Sequence, residues 1–171
     1  MEKARILVVT GTGKGKTTAA LGMVLRGLSH GKKVLLARFI KAAASGELDI
    51  MSTLPGLAIL TGGLGMTPPP QHPDFPRHAE AARELFAKVK EAADGFDMIA
   101  MDEICTAAAK GLVPEKELVD FLGTLRPDQI VILTGRGAGM PLMAVADTVS
   151  EIVPIKHAFL RGIAAQEGVE F

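Results

Sequence analysis

Nine residues, Thr10-Gly11-Thr12-Gly13-Lys14-Gly15-Lys16-Thr17-Thr18, constrain this chain more than any other stretch. They follow a short apolar run, Ile6 to Val9, and lead into a segment from Thr17 to Ser29 whose apolar residues recur at helical spacing. A strand, a glycine-rich bend and a helix in that order form a phosphate cradle. Successive backbone N–H groups of such a bend converge on anionic oxygens, and the helix start adds the positive end of its dipole. Against the pattern G-x-x-x-x-G-K-[ST], Gly15-Lys16-Thr17 supplies the closing triplet. Thr10 holds the place of the leading glycine and Gly11 comes one residue later, so the loop is a variant. Lys16 is the residue to neutralise outer phosphates, Thr17 the hydroxyl to bind magnesium, and Lys14 a second cation in the loop. A Gly/Lys turn that merely links a strand to a helix is the plain alternative, and the flanking strand and helix count against it.

Short β-rich runs alternate with helical stretches along the rest of the chain. The patterning predicts strands at 6–9, 34–40, 57–60, 98–101, 129–133 and 148–153, with helices at 17–29, 46–54, 74–93, 114–125 and 141–146. Gly31 stands where a helix C-cap glycine belongs. Residues 61–76 hold three glycines and five prolines and form no regular element. The β-α alternation predicts an α/β fold, a mostly parallel central sheet with helices on both faces. The 171 residues fit one domain spanning 1–171.

Composition narrows the function. Nineteen basic and nineteen acidic residues leave no net basic field for bulk nucleic-acid binding. The absence of Trp and Tyr leaves little for stacking on bases. One cysteine, Cys105, rules out an intrachain disulfide and a cysteine-cluster metal site. No apolar run approaches about 20 residues, so the expectation is a cytoplasmic protein without a membrane span.

A second candidate lies at Met98-Ile99-Ala100-Met101-Asp102-Glu103, where an apolar strand ends in two carboxylates. In parallel sheets ligands sit outside the carboxyl ends of strands. Asp102 and Glu103 are therefore candidates to hold magnesium beside the cradle. A solvated strand end, or an N-cap for a helix starting near Ile104, is the other reading. Cys105 reads as a small buried apolar residue. Arg136, in Thr134-Gly135-Arg136-Gly137 after another strand, is placed to hold a phosphate or carboxylate, or else a surface salt bridge. No two of His30, His72, His78 and His157 have metal-ligand spacing.

Five stretches together resemble the P-loop-type ATP:corrinoid adenosyltransferases: TGTGKGKTTAALG, ARFIKAAASGE, MIAMDEI, VILTGRGAGMPLMAVADTVSEI and VPIKHAFLRGIAAQEGVEF. The variant loop beginning at Gly11 is the form found in that family. The resemblance implies a RecA-like fold, usually as a homodimer. It implies transfer of the 5′-deoxyadenosyl group of ATP to a reduced corrinoid with release of triphosphate. ATP would bind in a reversed sense relative to most P-loop enzymes, turning the ribose C5′ towards the corrin.

Carried over to this chain, Gly11, Thr12, Gly13, Lys14, Gly15, Lys16, Thr17 and Thr18 would bind the triphosphate; Arg136, from its own place after a strand, is a further candidate contact. Thr17, Asp102 and Glu103 would serve Mg²⁺, and Lys16 and Glu103 would be the residues on which turnover depends. The Lys156-His157 segment would belong to the dimer contact or the nucleoside pocket. An external reductase would supply Co(I). Longer relatives carry an amino-terminal arm where this chain begins almost at its first strand, and loop aromatics where it has TGGLGMT. Those departures leave a preference for an incomplete corrinoid open. The competing classes are a P-loop phosphohydrolase or kinase and a non-catalytic nucleotide- or corrinoid-binding module.

Overall fold

The computed structural model describes residues 3–41 and 46–169. Part of the stretch 37–47 quoted above and the last two residues of the chain lie outside them. Among the described residues, β1 (Arg5–Thr10), β2 (Val34–Arg38), β3 (Leu57–Thr61), β4 (Met98–Asp102), β5 (Ile130–Thr134) and β6 (Thr148–Glu151) form one sheet in the order β3-β2-β4-β5-β1-β6. All five pairings are parallel. β2 and β4 are buried at every residue, which explains the apolar runs that precede their terminal Arg38 and Asp102. β6 closes one edge and is exposed throughout.

Side chains along each strand still alternate between two faces. Ile6, Val8, Leu35, Ala37, Ile99, Met101, Val131 and Leu133 enter one core, while Val34, Leu36, Met98, Ala100 and Ile132 enter the other. The helices are α1 (Lys16–Ser29), α2 (Gly46–Met51), α3 (Phe75–Ala92), α4 (Ile104–Ala109), α5 (Glu115–Leu122) and α6 (Met140–Val145). Ala20 and Val24 of α1 and Leu48 and Met51 of α2 cover the second core. The other four helices cover the first, through residues such as Leu85, Ile104, Leu118 and Leu142. Phe86 and Phe121 meet edge to face with centroids 5.5 Å apart, joining α3 to α5. This is an α/β fold of the P-loop, RecA-like type, with helices on both faces as the alternation predicts. No helix among the described residues is long and apolar enough to cross a membrane.

The differences from the expected elements have local causes. β5 starts at Ile130 rather than at Gln129. The fully buried Gln129 side chain is occupied elsewhere: its amide donates to the carbonyls of Ala93 and Phe96 and its oxygen accepts the Arg126 N–H. β2 ends at Arg38, and the Ile40 carbonyl instead accepts the Gly65 N–H at 2.8 Å. β6 ends at Glu151 because Ile152 turns its carbonyl to the glycine-rich loop. Pro114 is the N-cap of α5 rather than part of its first turn. Gly31 closes α1 as expected, at φ 73° with its N–H on the Leu28 carbonyl.

Asp147 joins the start of β6 to β1. Its carboxylate accepts the Ile6 N–H at 2.8 Å and lies 3.3 Å from Lys3 Nζ. The backbone hydrogen bond, helped by Lys3, holds this carboxyl below its ordinary value of 3.8. A carboxyl depressed by folding stabilises the native state above its unfolded pKa, and that stability is lost as pH falls through the folded value. Asp147→Asn keeps the acceptor and removes the charge. The variant is expected to unfold at lower urea than the wild type at pH 7, with the gap closing below pH 3.8. A gap of constant size at pH 7 and pH 3 would count against this role.

Candidate active site

The carboxyl ends of β1, β4 and β5 converge on one cleft of about 760 Å³. β1 delivers the glycine-rich loop. Gly15, in the left-handed conformation at φ 111°, is the N-cap of α1, so Lys16, Thr17 and Thr18 occupy its first turn. Backbone N–H groups there have no partner within the helix and are free to meet an anion. Gly13 to Thr18, Glu103 and Arg136 all line the cleft. Lys16 is 7% exposed and donates from Nζ to the Gly13 carbonyl at 2.6 Å. Burial lowers its pKa; Glu103 opposes that effect, Arg136 adds to it, and Asp102 opposes it.

The two motifs are tied by one hydrogen bond. Thr17 Oγ1 donates to Asp102 Oδ1 at 2.9 Å across 85 positions of sequence. The same carboxylate oxygen accepts the Thr134 hydroxyl at 2.7 Å. Asp102 is 2% exposed, so its reach towards a ligand runs through Thr17. Glu103, next in the chain, is only partly buried and faces the cleft directly. Magnesium takes oxygen ligands and is usually held by one or two carboxylates plus substrate phosphate and water. The Thr17 hydroxyl and the Glu103 carboxylate fit that donor set. No group of three or more His, Cys, Asp or Glu side chains capable of holding a metal occurs among the described residues. The balance of a cation's ligands would therefore come from phosphate and water.

Part of the loop does different work from what its composition suggests. The Gly13 N–H donates to the Ile152 carbonyl at 2.8 Å, so this amide faces the chain beyond β6. Gly11 is buried at φ 99°, and a Cβ there would lie 2.4 Å from the Ile152 oxygen. Gly11 and Thr12 do not line the cleft. Thr10, in the place of the leading glycine, accepts the Ala138 N–H at 3.4 Å.

The sequence model described as ATP:corrinoid adenosyltransferase BtuR/CobO/CobP matches residues 2–171. The chain belongs to this family. A corrinoid adenosyltransferase of Escherichia coli K12 is 38% identical over 173 residues, covering 99% of this chain and 87% of the relative. The corrinoid adenosyltransferase CobA of Salmonella typhimurium LT2 is 36% identical over 171 residues, with 99% and 87% covered. A corrinoid adenosyltransferase from a Sinorhizobium species is 40% identical over 176 residues, with 99% and 81% covered.

In this member of the corrinoid adenosyltransferase family, residues near the carboxyl end of the chain also reach the cleft. His157 lines the main cleft, and Lys156 and His157 line an adjoining cavity of about 310 Å³ that shares Gly13 and Lys14 with it. Lys14 Nζ donates to the Val169 carbonyl, and Glu167, Gly168 and Val169 lie along the cleft. The carboxyl-terminal segment thus lies against the cradle, a contact with no short-range signal in the sequence. Thr106 Oγ1 donates to Glu103 Oε2, and the sequence signals this contact only as a hydroxyl three residues after an N-cap acid, a spacing that places both on one helical face.

Proposed function

We propose that the chain transfers the 5′-deoxyadenosyl group of ATP to the Co(I) centre of a reduced corrinoid and releases triphosphate. The observation that carries this reading is the Thr17–Asp102 hydrogen bond, which joins the phosphate loop to the acidic strand end in a chain of this family. The electron pair on cobalt forms the Co–C bond at C5′. The C5′–O bond breaks, and its electrons leave with the triphosphate. Co(I) carries no proton, so the site needs no general base. Glu103 is accordingly a carboxylate that serves the metal.

What the protein must supply is position and charge. Reacting atoms need to approach within about 3–3.5 Å in line with the departing oxygen. Lys16 and the amides of the first turn of α1 hold the departing triphosphate, on which negative charge grows. Magnesium neutralises phosphate charge when bound, and Thr17 and Glu103 are the residues that would hold it, with Asp102 acting through Thr17. The cavity beside Lys156 and His157 is placed to take the nucleoside. Reduction to Co(I) falls to a separate reductant, since one buried cysteine cannot ligate an iron–sulfur cluster. Ile155, Phe159 and Leu160 are 98%, 80% and 78% exposed, which fits cover by a second copy in a homodimer.

The test mixes ATP, Mg²⁺, a chemical reductant and cobalamin with the protein. The expected result is the light-sensitive absorption change of an alkylated corrinoid, with one intact triphosphate released for each Co–C bond. Orthophosphate release with an unchanged corrinoid spectrum would overturn the reading in favour of a phosphohydrolase. Tight nucleotide binding with no Co–C bond would overturn it in favour of a binding module.

A further inference from the structure

Glu103 has φ 63°, the one positive value at a non-glycine residue among the described residues. Such a conformation is strained for a residue with a side chain and persists where neighbours enforce it. Two hydroxyls hold Glu103 here, one at its backbone and one at its side chain. Thr134 Oγ1 accepts the Glu103 N–H at 2.9 Å and fixes the backbone. Thr106 Oγ1 donates to Glu103 Oε2 and fixes the carboxylate. The same Thr106 oxygen accepts the Arg136 N–H at 2.8 Å. A threonine hydroxyl has one proton and two lone pairs, so this atom serves an acid and an amide at once.

The contact is also sterically closed. A Cβ at position 135 would lie 2.6 Å from Thr106 N and 2.8 Å from Thr106 Oγ1. The loop after β5 therefore rests directly on the first turn of α4. Glu103 and Arg136 both line the cleft, and one oxygen atom sets the relation between them.

We propose that Thr106 is a positioning residue of the transfer reaction: its hydroxyl aims the Glu103 carboxylate at the phosphate cleft and fixes the Arg136 loop against it. The inference rests on reading Glu103 as the carboxylate that serves magnesium. Thr106 itself lines no part of the cleft and acts only through Glu103 and the Arg136 amide. An ordinary helix-start contact would contribute to stability and leave the cation response untouched, which is the distinction the experiment reads.

ATP binding to the whole chain is titrated calorimetrically over a range of Mg²⁺ concentrations, without corrinoid, so that no turnover occurs. Wild type, Thr106→Val, Thr106→Ala and Thr106→Ser are compared, together with the thermal midpoint of each free protein. Loss of a hydrogen bond to a metal-serving carboxylate typically weakens metal affinity by tenfold or more. The valine and alanine variants are expected to need about tenfold more Mg²⁺ for the half-maximal effect on ATP affinity, with affinity in EDTA within about twofold of wild type. Serine is expected to restore the wild-type response. A wild-type Mg²⁺ response in a folded valine or alanine variant would overturn the proposal alone, as would a serine variant as impaired as valine. A wild type whose ATP affinity ignores Mg²⁺ would overturn the magnesium reading of Glu103 as well, so the two failures are distinct.

Discussion

Lys16→Ala is expected to reduce adenosyl transfer by more than about a hundredfold, the loss typical of removing one group that stabilises charge at a reacting centre. Lys16 is the buried cation of the loop, and its ammonium is held in the cradle by the Gly13 carbonyl. Alanine leaves the loop amides and Arg136 but, on the proposed reaction, removes the buried charge that would face the departing phosphates. Its known hydrogen bond is local to the loop, so the fold is expected to survive. Glu103→Ala gives the contrasting result, a weaker dependence on magnesium. Rates measured at saturating ATP separate the two. Full-rate transfer by both variants would remove the site assignment altogether.

Gly11→Ala is expected to destabilise the protein and damage the cradle together. The residue sits at φ 99°, and its added methyl would lie 2.4 Å from the Ile152 oxygen and 2.8 Å from the Ile152 nitrogen. The backbone conformation alone costs about 1–3 kcal/mol for a residue with a side chain. Each kcal/mol lowers the melting midpoint of a chain this size by about 2–4 °C. Overlap with backbone atoms adds to that, because the loop must leave Ile152 or Ile152 must leave the loop. Gly22, in α1, has nothing within 4 Å of an added Cβ and is the natural control. Gly22→Ala is expected to stabilise by about 1 kcal/mol through helix propensity. Equal melting midpoints for the two variants would show that the Gly11–Ile152 contact has no energetic weight.

The sheet was legible in the sequence where burial is two-sided. β1, β2, β4 and β5 each carry a continuous apolar run of four residues because helices cover both of their faces. α4 emerged only as a possible capped helix after Glu103, since six residues are too few for periodicity to be scored. The strand order could not be read, because local patterning does not encode which strands pair. That order decides much of the site. It places β5 between β1 and β4, which brings Thr134 to Asp102 and the Arg136 amide to Thr106. Gly13 shows the opposite limit. Its place in a phosphate-binding pattern is plain, yet its amide belongs to Ile152, a residue 139 positions away whose approach depends on β6 lying beside β1.

Cys105 follows Glu103 by two residues, yet it is fully buried, and burial together with the nearby Glu103 charge pushes its thiol up to about 12. At pH 8 roughly one molecule in ten thousand then carries the sulfur anion. On the proposed reaction, a cobalt-based nucleophile would then meet no competing thiolate from Cys105. Alkylating reagents that modify exposed thiols will leave the protein unmarked, and any fluorescent or spin label will have to be attached at a cysteine introduced elsewhere.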